Sequence, residues 1–317
     1  METISSSRRN FLPQDHWLMT AHFDMEGFIP AVVAEEEKRH SMEEEEEASE
    51  PDPQYNHHEF ARRQLHRQQR SHMLAVVVPR LEILQHLPFF IPFHTRVQIF
   101  REFVSVDQRR RRGGETDPDS WREMIFHRTA HRRPGEDPRE VLSKHHATIR
   151  RESVFEDALD EFYPLGDGLK EPIQITFIDK FGAQEAGIDG GGVTKEFLTS
   201  VTKEAFTSKY NLFVENKHHM LYPKPTSIDE ARELMKDLGE DDSSDIENGV
   251  QRLLKQYEFL GRIVGKCMYE GILVDINFAG VFLLQWSVGK DGGGYRPGVN
   301  DLRDLDEELY QGLVSSF

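Results

Sequence analysis

A chain of 317 residues is long enough for one large domain or two small ones, and its formal net charge of -17 argues against a general nucleic-acid binder. With 30% charged residues against 37% hydrophobic, a folded part joined to long solvated segments is expected rather than one uniform globule. The single cysteine, Cys267, excludes an intramolecular disulfide and a cysteine-rich zinc site, and it fits a reducing compartment, cytoplasmic or nuclear. Met1–Asn10 has no apolar core of signal-peptide length, and no stretch approaches the roughly 18 apolar residues that span a bilayer, so a soluble protein without membrane contact is expected.

From residue 1 to 72 the chain reads as a disordered acidic and polar arm. Ala34–Glu50 is almost entirely charged and cannot bury enough apolar area to offset its ordering entropy, and Pro51-Asp52-Pro53 follows it. Residues 73–108 read as a helical extension, with Leu81 and Leu84 before Pro88 and Pro92, then a second stretch from Thr95 to Val106. That stretch sets Val97, Phe100, Arg101 and Val104 near one face. Residues 109–146, rich in Arg, Gly, Pro and acids, read as a basic flexible linker without fixed fold.

Residues 147–317 carry the folded part. Thr148-Ile149-Arg150 reads as a short strand, and Phe155, Leu159 and Phe162 follow helical spacing. Ile173-Gln174-Ile175-Thr176-Phe177 alternates as a half-buried strand does. The glycine turn Gly187–Gly192 leads into a helix over Val193–Ala205, and an acidic, partly helical insertion lies between Pro225 and Gly249. A strong helix over Gln251–Tyr269 aligns Leu253, Leu254, Tyr257, Leu260, Ile263 and Val264, and a buried helix follows over Phe278–Trp286. Helices dominate and strands are few, so the fold class is α+β, mostly α-helical with a few short strands.

The motifs that invite chemistry fall short on spacing. Gly187–Gly192 lacks the Lys-Ser/Thr pair of a phosphate loop, since Val193 follows Gly192 and Glu196 follows Lys195. It reads as a tight turn needing positive φ, with Asp189 supporting nearby backbone groups. Gly261 and Gly265 share a helix face, where they would let a neighbouring helix approach closely. His127 and His131 stand four apart, but Arg128 takes the place of the glutamate that a zinc-binding helix needs. The pairs His57-His58, His145-His146 and His218-His219 point different ways, so no metal site is expected. Arg109–Arg112 has no interleaved aromatics to stack bases, and reads as a solvated basic linker or a nuclear-import signal. Cys267 ends an apolar helical run, and Lys266 is turned about 100° from it; a structural role is expected. The residues by themselves offer no catalytic, cofactor or metal site.

An ordered set of segments nevertheless resembles the HECT-type E3 ubiquitin ligases. It comprises Thr148-Ile149-Arg150-Arg151, Phe155-Glu156-Asp157-Ala158, Glu185–Val193, Lys195-Glu196-Phe197-Leu198, Leu221–Pro225, Phe259–Lys266 and Asp304–Tyr310. Upstream, Leu84–Phe93 is similar to the branch that extends ubiquitin chains on proteasomal substrates.

The resemblance implies a partial N-lobe over residues 147–317 and partners in an E2 enzyme, ubiquitin, protein substrates and the proteasome. It also implies a cysteine in a C-lobe that takes ubiquitin from the E2 thioester and passes it to a substrate lysine. The E2-binding subdomain, hinge, C-lobe and that cysteine are expected beyond Phe317, so this chain alone is expected to be inactive, with no cofactor. The alternative is a non-catalytic N-lobe acting as a binding module.

Overall fold

The computed structural model describes residues 16–18, 33, 83–84, 86–87, 90–112, 118–132, 138–185, 192–237, 243–286 and 297–315. The acidic arm lies almost wholly outside them, as do Gly187–Gly191 of the glycine turn. The chain divides into two compact units, Met1–Thr116 and Asp117–Phe317.

In the first unit, α1 spans Phe93–Arg111. Pro92 precedes it with φ -52°, and its carbonyl accepts from the Thr95 and Arg96 N–H groups at 3.1 Å each. The buried positions are Thr95 and Ile99, one turn apart, while Phe100 and Arg101 of the expected face are exposed. Two overlapping stripes satisfy the same spacing, and packing chooses between them. The helix also runs into the arginines read as a linker, because cations at a helix C-terminus complement its dipole.

The second unit corrects the linker further. Helices α2 (Pro118–Arg132) and α3 (Pro138–Lys144) each begin on a proline, which is preset for the first helical position. Trp121, 2% exposed, meets the His145 ring edge-on at 5.4 Å. The two His145 ring nitrogens lie 2.8 and 3.2 Å from the Val141 and Gly168 carbonyl oxygens. One buried tryptophan thus organises a stretch whose composition reads as loop.

Strand β1 (His146–Arg150) leads through α4 (Val154–Phe162) and a 3₁₀ segment (Tyr163–Lys170) to β2 (Gln174–Ile178). That crossover makes the pair parallel, with Ala147 opposite Ile175 and Ile149 opposite Phe177, all four buried. Then come α5 (Gly192–Ala205), the hairpin β3 (Phe213–Glu215) and β4 (Leu221–Pro223), α6 (Ser227–Asp237) and α7 (Ser243–Tyr269). Helices α8 (Gly280–Trp286), α9 (Val299–Leu305) and α10 (Glu307–Ser315) close the described chain. The architecture is α+β and mostly helical. Its core joins Ile149, Phe155, Phe162, Phe197, Leu198, Phe259 and Ile263 from β1, α4, α5 and α7.

The expectation for Gly261 and Gly265 does not hold. Both are exposed, and a Cβ at either would meet nothing within 4 Å among the described residues. The close approach falls at Gly249, where α6 crosses α7 and Met235 Cγ would lie 2.6 Å from an added Cβ. The helices meet on the face where α6 returns from the hairpin, and glycine spacing alone cannot reveal that. Among the described residues no helix is long and apolar enough to cross a membrane.

Candidate functional site

Cys267 is fully buried on the core face of α7, among the residues that pack around Phe259 and Ile263. Burial pushes its thiol up to about 11, so almost none is thiolate at neutral pH. Lys266 gives little opposing help, because its ammonium is committed elsewhere. Its Nζ donates to the Glu171 and Lys170 carbonyl oxygens at 2.9 and 3.3 Å and to Glu270 Oε1 at 2.7 Å. It caps the end of the 3₁₀ segment and stays with its own helix.

A shallow cavity of about 330 Å³ opens beside that cap, between Gly166, Leu169 and Lys170 on one side and Arg262, Gly265 and Tyr269 on the other. Gly166 shapes its rim at φ 55° and ψ -123°, a backbone conformation open to glycine. The Arg262 guanidinium is held by the Tyr163 carbonyl at 3.0 Å and by the Glu258 carboxylate. Asp167 and Lys266 complete the lining, which holds no serine, cysteine or histidine.

The best-defined charged cluster surrounds Arg151. Its guanidinium donates to both oxygens of Glu185, at 2.9 and 2.6 Å, and to Glu196 Oε1 at 2.6 Å. It stacks 3.7 Å over the Phe177 ring, and the Arg151 N–H extends the sheet ladder to the Ile178 carbonyl. The hydrogen bond from Arg151 holds the Glu185 carboxyl below its usual range. A second cluster centres on Glu204, which accepts from the Phe155 N–H, the Lys209 ammonium and the Tyr210 hydroxyl at 2.9–3.0 Å. It locks the start of α4 to the end of α5. Neither cluster was evident from sequence: the partners of Arg151 lie 34 and 45 positions away.

The remaining candidates disperse. His145 serves the α3 junction, His146 reaches Thr176 Oγ1 at 2.9 Å, and His219 pairs with Glu215 at 2.9 Å. His127 is exposed, whereas the His131 side chain, His57 and His58 lie outside the described residues. No group of three His, Cys, Asp or Glu side chains could hold a metal among the described residues. In the arginine run, Arg110 and Arg111 pair with Asp107, Arg109 reaches the Ser105 carbonyl, and Arg112 is buried.

Comparison with known proteins gives the family. Residues 199–316 match the HECT-domain (ubiquitin-transferase) family. A probable E3 ubiquitin protein ligase of Schizosaccharomyces pombe is 34% identical over 98% of this chain and 23% of its own length. The chain belongs to the HECT family of E3 ubiquitin ligases. Other relatives are the E3 ubiquitin-protein ligase HUL5 of Saccharomyces cerevisiae, 37% identical over 74% of this chain and 22% of its own length, and human ubiquitin-protein ligase E3B, 32% identical over 74% and 18%. The chain spans about a fifth of the length of these relatives. The HECT match covers α7, and with it Cys267 and Lys266, whereas the Arg151 cluster lies wholly upstream of it.

Proposed function

We propose that this chain is N-lobe scaffold of a HECT ligase, and that the complete protein passes ubiquitin from an E2 thioester through a cysteine thioester to substrate lysines. The observation that carries the assignment of roles is the burial of Cys267 with its thiol pushed up to about 11. A relay nucleophile needs an exposed thiol with an accessible thiolate, so the thioester cysteine is a residue other than Cys267. The similarity of Leu84–Phe93 adds to the proposal the extension of ubiquitin chains on proteasomal substrates, in the cytoplasm or nucleus.

The test is a thioester assay on the 317-residue chain with E1, a panel of E2 enzymes, ubiquitin and ATP. No reducible ubiquitin adduct is expected, and an adduct abolished by Cys267→Ala would sink the reading. Exposed apolar side chains on α8 and α10, among them Leu283, Leu284, Leu309 and Leu313 at 40–51% exposure, favour a second reading as a protein-binding module. The second reading predicts that the chain, inactive by itself, forms a stoichiometric complex with a substrate of the family's ligases.

A further inference from the structure

We propose that residues 272–276 form an open strand edge, and that it pairs with an extended segment of a partner protein in which a basic residue stands between apolar ones. This goes beyond the ligase reading and does not depend on it. Ile272-Leu273-Val274-Asp275-Ile276 follows α7 on the way to α8. Main-chain bonds tie it at both ends. The Ile272 N–H donates to the Cys267 carbonyl at 2.8 Å, and the Asn277 carbonyl accepts from the Leu221 N–H at 2.7 Å. The Ala279 N–H donates to the Leu221 carbonyl at 2.8 Å, so Phe278 and Leu221 of β4 form a parallel bridge.

The residue types and their burial are those of a strand. Ile272, Val274 and Ile276 are β-branched and half-buried, whereas Leu273 and Asp275 between them are exposed, Leu273 at 91%. Yet no N–H or C=O group of 273–276 meets a hydrogen-bond partner among the described residues. Main-chain groups alternate in direction along a strand, and Asn277 and Ala279 aim theirs at β4. Val274 and Ile276 therefore present theirs to the opposite side, where a further strand can bond them.

The edge is too short for a second copy of this chain. A strand of five residues offers far less than the roughly 800 Å² per partner of a stable complex between folded proteins, and a net charge of -17 on each copy opposes their approach. A linear segment needs less area, because its main chain supplies the contact. Asp275, the one acid among 272–276, favours a basic residue directly opposite and disfavours an acid there. Leu273 and Val274 favour apolar residues beside it.

Fluorescence anisotropy of the 317-residue chain with the labelled peptide SVKVLVS tests this. Laid antiparallel, the peptide sets its lysine opposite Asp275 and its leucine opposite Leu273. Saturable binding is expected, with the Val274 and Ile276 amides protected from deuterium exchange in the complex. SVEVLVS is expected to bind roughly 3- to 10-fold more weakly, and Asp275→Lys in the chain to reverse that preference. N-methylation of the central valine, whose N–H faces the edge, is expected to weaken binding at least about 10-fold, whereas N-methylation of the leucine, whose N–H faces away, changes it little. No saturable binding below about 1 mM, equal effects of the two N-methyl groups, or a preference that Asp275→Lys leaves unchanged each overturns the proposal. So does dimerisation of the chain that protects Val274 and Ile276 and excludes the peptide, which would give the edge to a second copy.

Discussion

Gly249 and Met235 touch where α6 packs on α7, so closely that a Cβ on Gly249 would lie 2.6 Å from Met235 Cγ. Two effects then compete in Gly249→Ala. Removing glycine from a helix interior gains up to about 1 kcal/mol, whereas overpacking costs about 1–3 kcal/mol. Met235 is half-buried and has three rotatable bonds, which keeps the cost near the low end. A net loss of about 1 kcal/mol is expected from urea unfolding. In a Met235→Ala background the same substitution should become neutral or stabilising. Equal effects in the two backgrounds would show that the contact does not limit packing.

Lys266 is 3% exposed, and its ammonium satisfies two carbonyls of the 3₁₀ segment as well as Glu270. Lys266→Met keeps the stem but leaves those acceptors without their donor. A loss of about 3 kcal/mol is expected, as for breaking a buried ion pair from one side. Adding Glu270→Gln should recover part of it, because the stranded carboxylate is then neutral. A loss under about 0.5 kcal/mol, the range of ordinary surface substitutions, would contradict this assignment.

The chain advertises some of these relationships and conceals others. The alternation Ile173–Phe177 specifies β2, and Leu260 and Ile263 of the expected stripe mark the buried face of α7 on which Cys267 also falls, because both signals are local periods, although Leu254 of the same stripe is exposed. Helices α2 and α3 are hidden because Arg, Gly and Pro around them read as loop, while the burial that orders them depends on Trp121 meeting His145. Which glycine takes a neighbouring helix depends on where α6 lands. Gly261 and Gly265 have the more suggestive spacing, yet the contact belongs to Gly249. Arg151 is visible as one of two adjacent arginines, but nothing local distinguishes its carboxylate partners from the many other acids of the chain.

Glu204 makes stability depend on acid. Burial alone would raise its carboxyl, but hydrogen bonds from Lys209, the Phe155 backbone and Tyr210 outweigh that and hold it below the usual 4.5. A carboxyl depressed in the folded state contributes stability that is present above its unfolded value and is lost as pH falls through the lower folded value. Unfolding midpoints should therefore fall as pH drops below about 4.5, less steeply in Glu204→Gln. That variant should also be less stable at pH 7, since a neutral amide keeps the geometry but loses the charge-assisted bonds. Parallel acid limbs in the two proteins would rule out Glu204 as a contributor.

The alkaline limb has its own marker in Cys267. Its thiol is raised from 9.0 to about 11 by burial, so between those values the unfolded chain loses a proton that the folded chain keeps. Stability is fully present below pH 9 and declines as pH rises toward 11. Tyr210, pushed from 10.0 up to about 12 chiefly by burial, adds a later decline of the same sign. Cys267→Ala should flatten the earlier part of the curve and leave the later part, because it removes the titrating group while retaining a small apolar side chain. Cys267→Ser should cost about 1–3 kcal/mol at pH 7 if its hydroxyl finds no partner in the apolar site. Alkylation by iodoacetamide at pH 8 supplies an independent measurement, with labelling expected only at the rate of unfolding and sharply accelerated in urea. Fast labelling of the native chain would place the thiol at the surface and remove the basis for excluding it from catalysis.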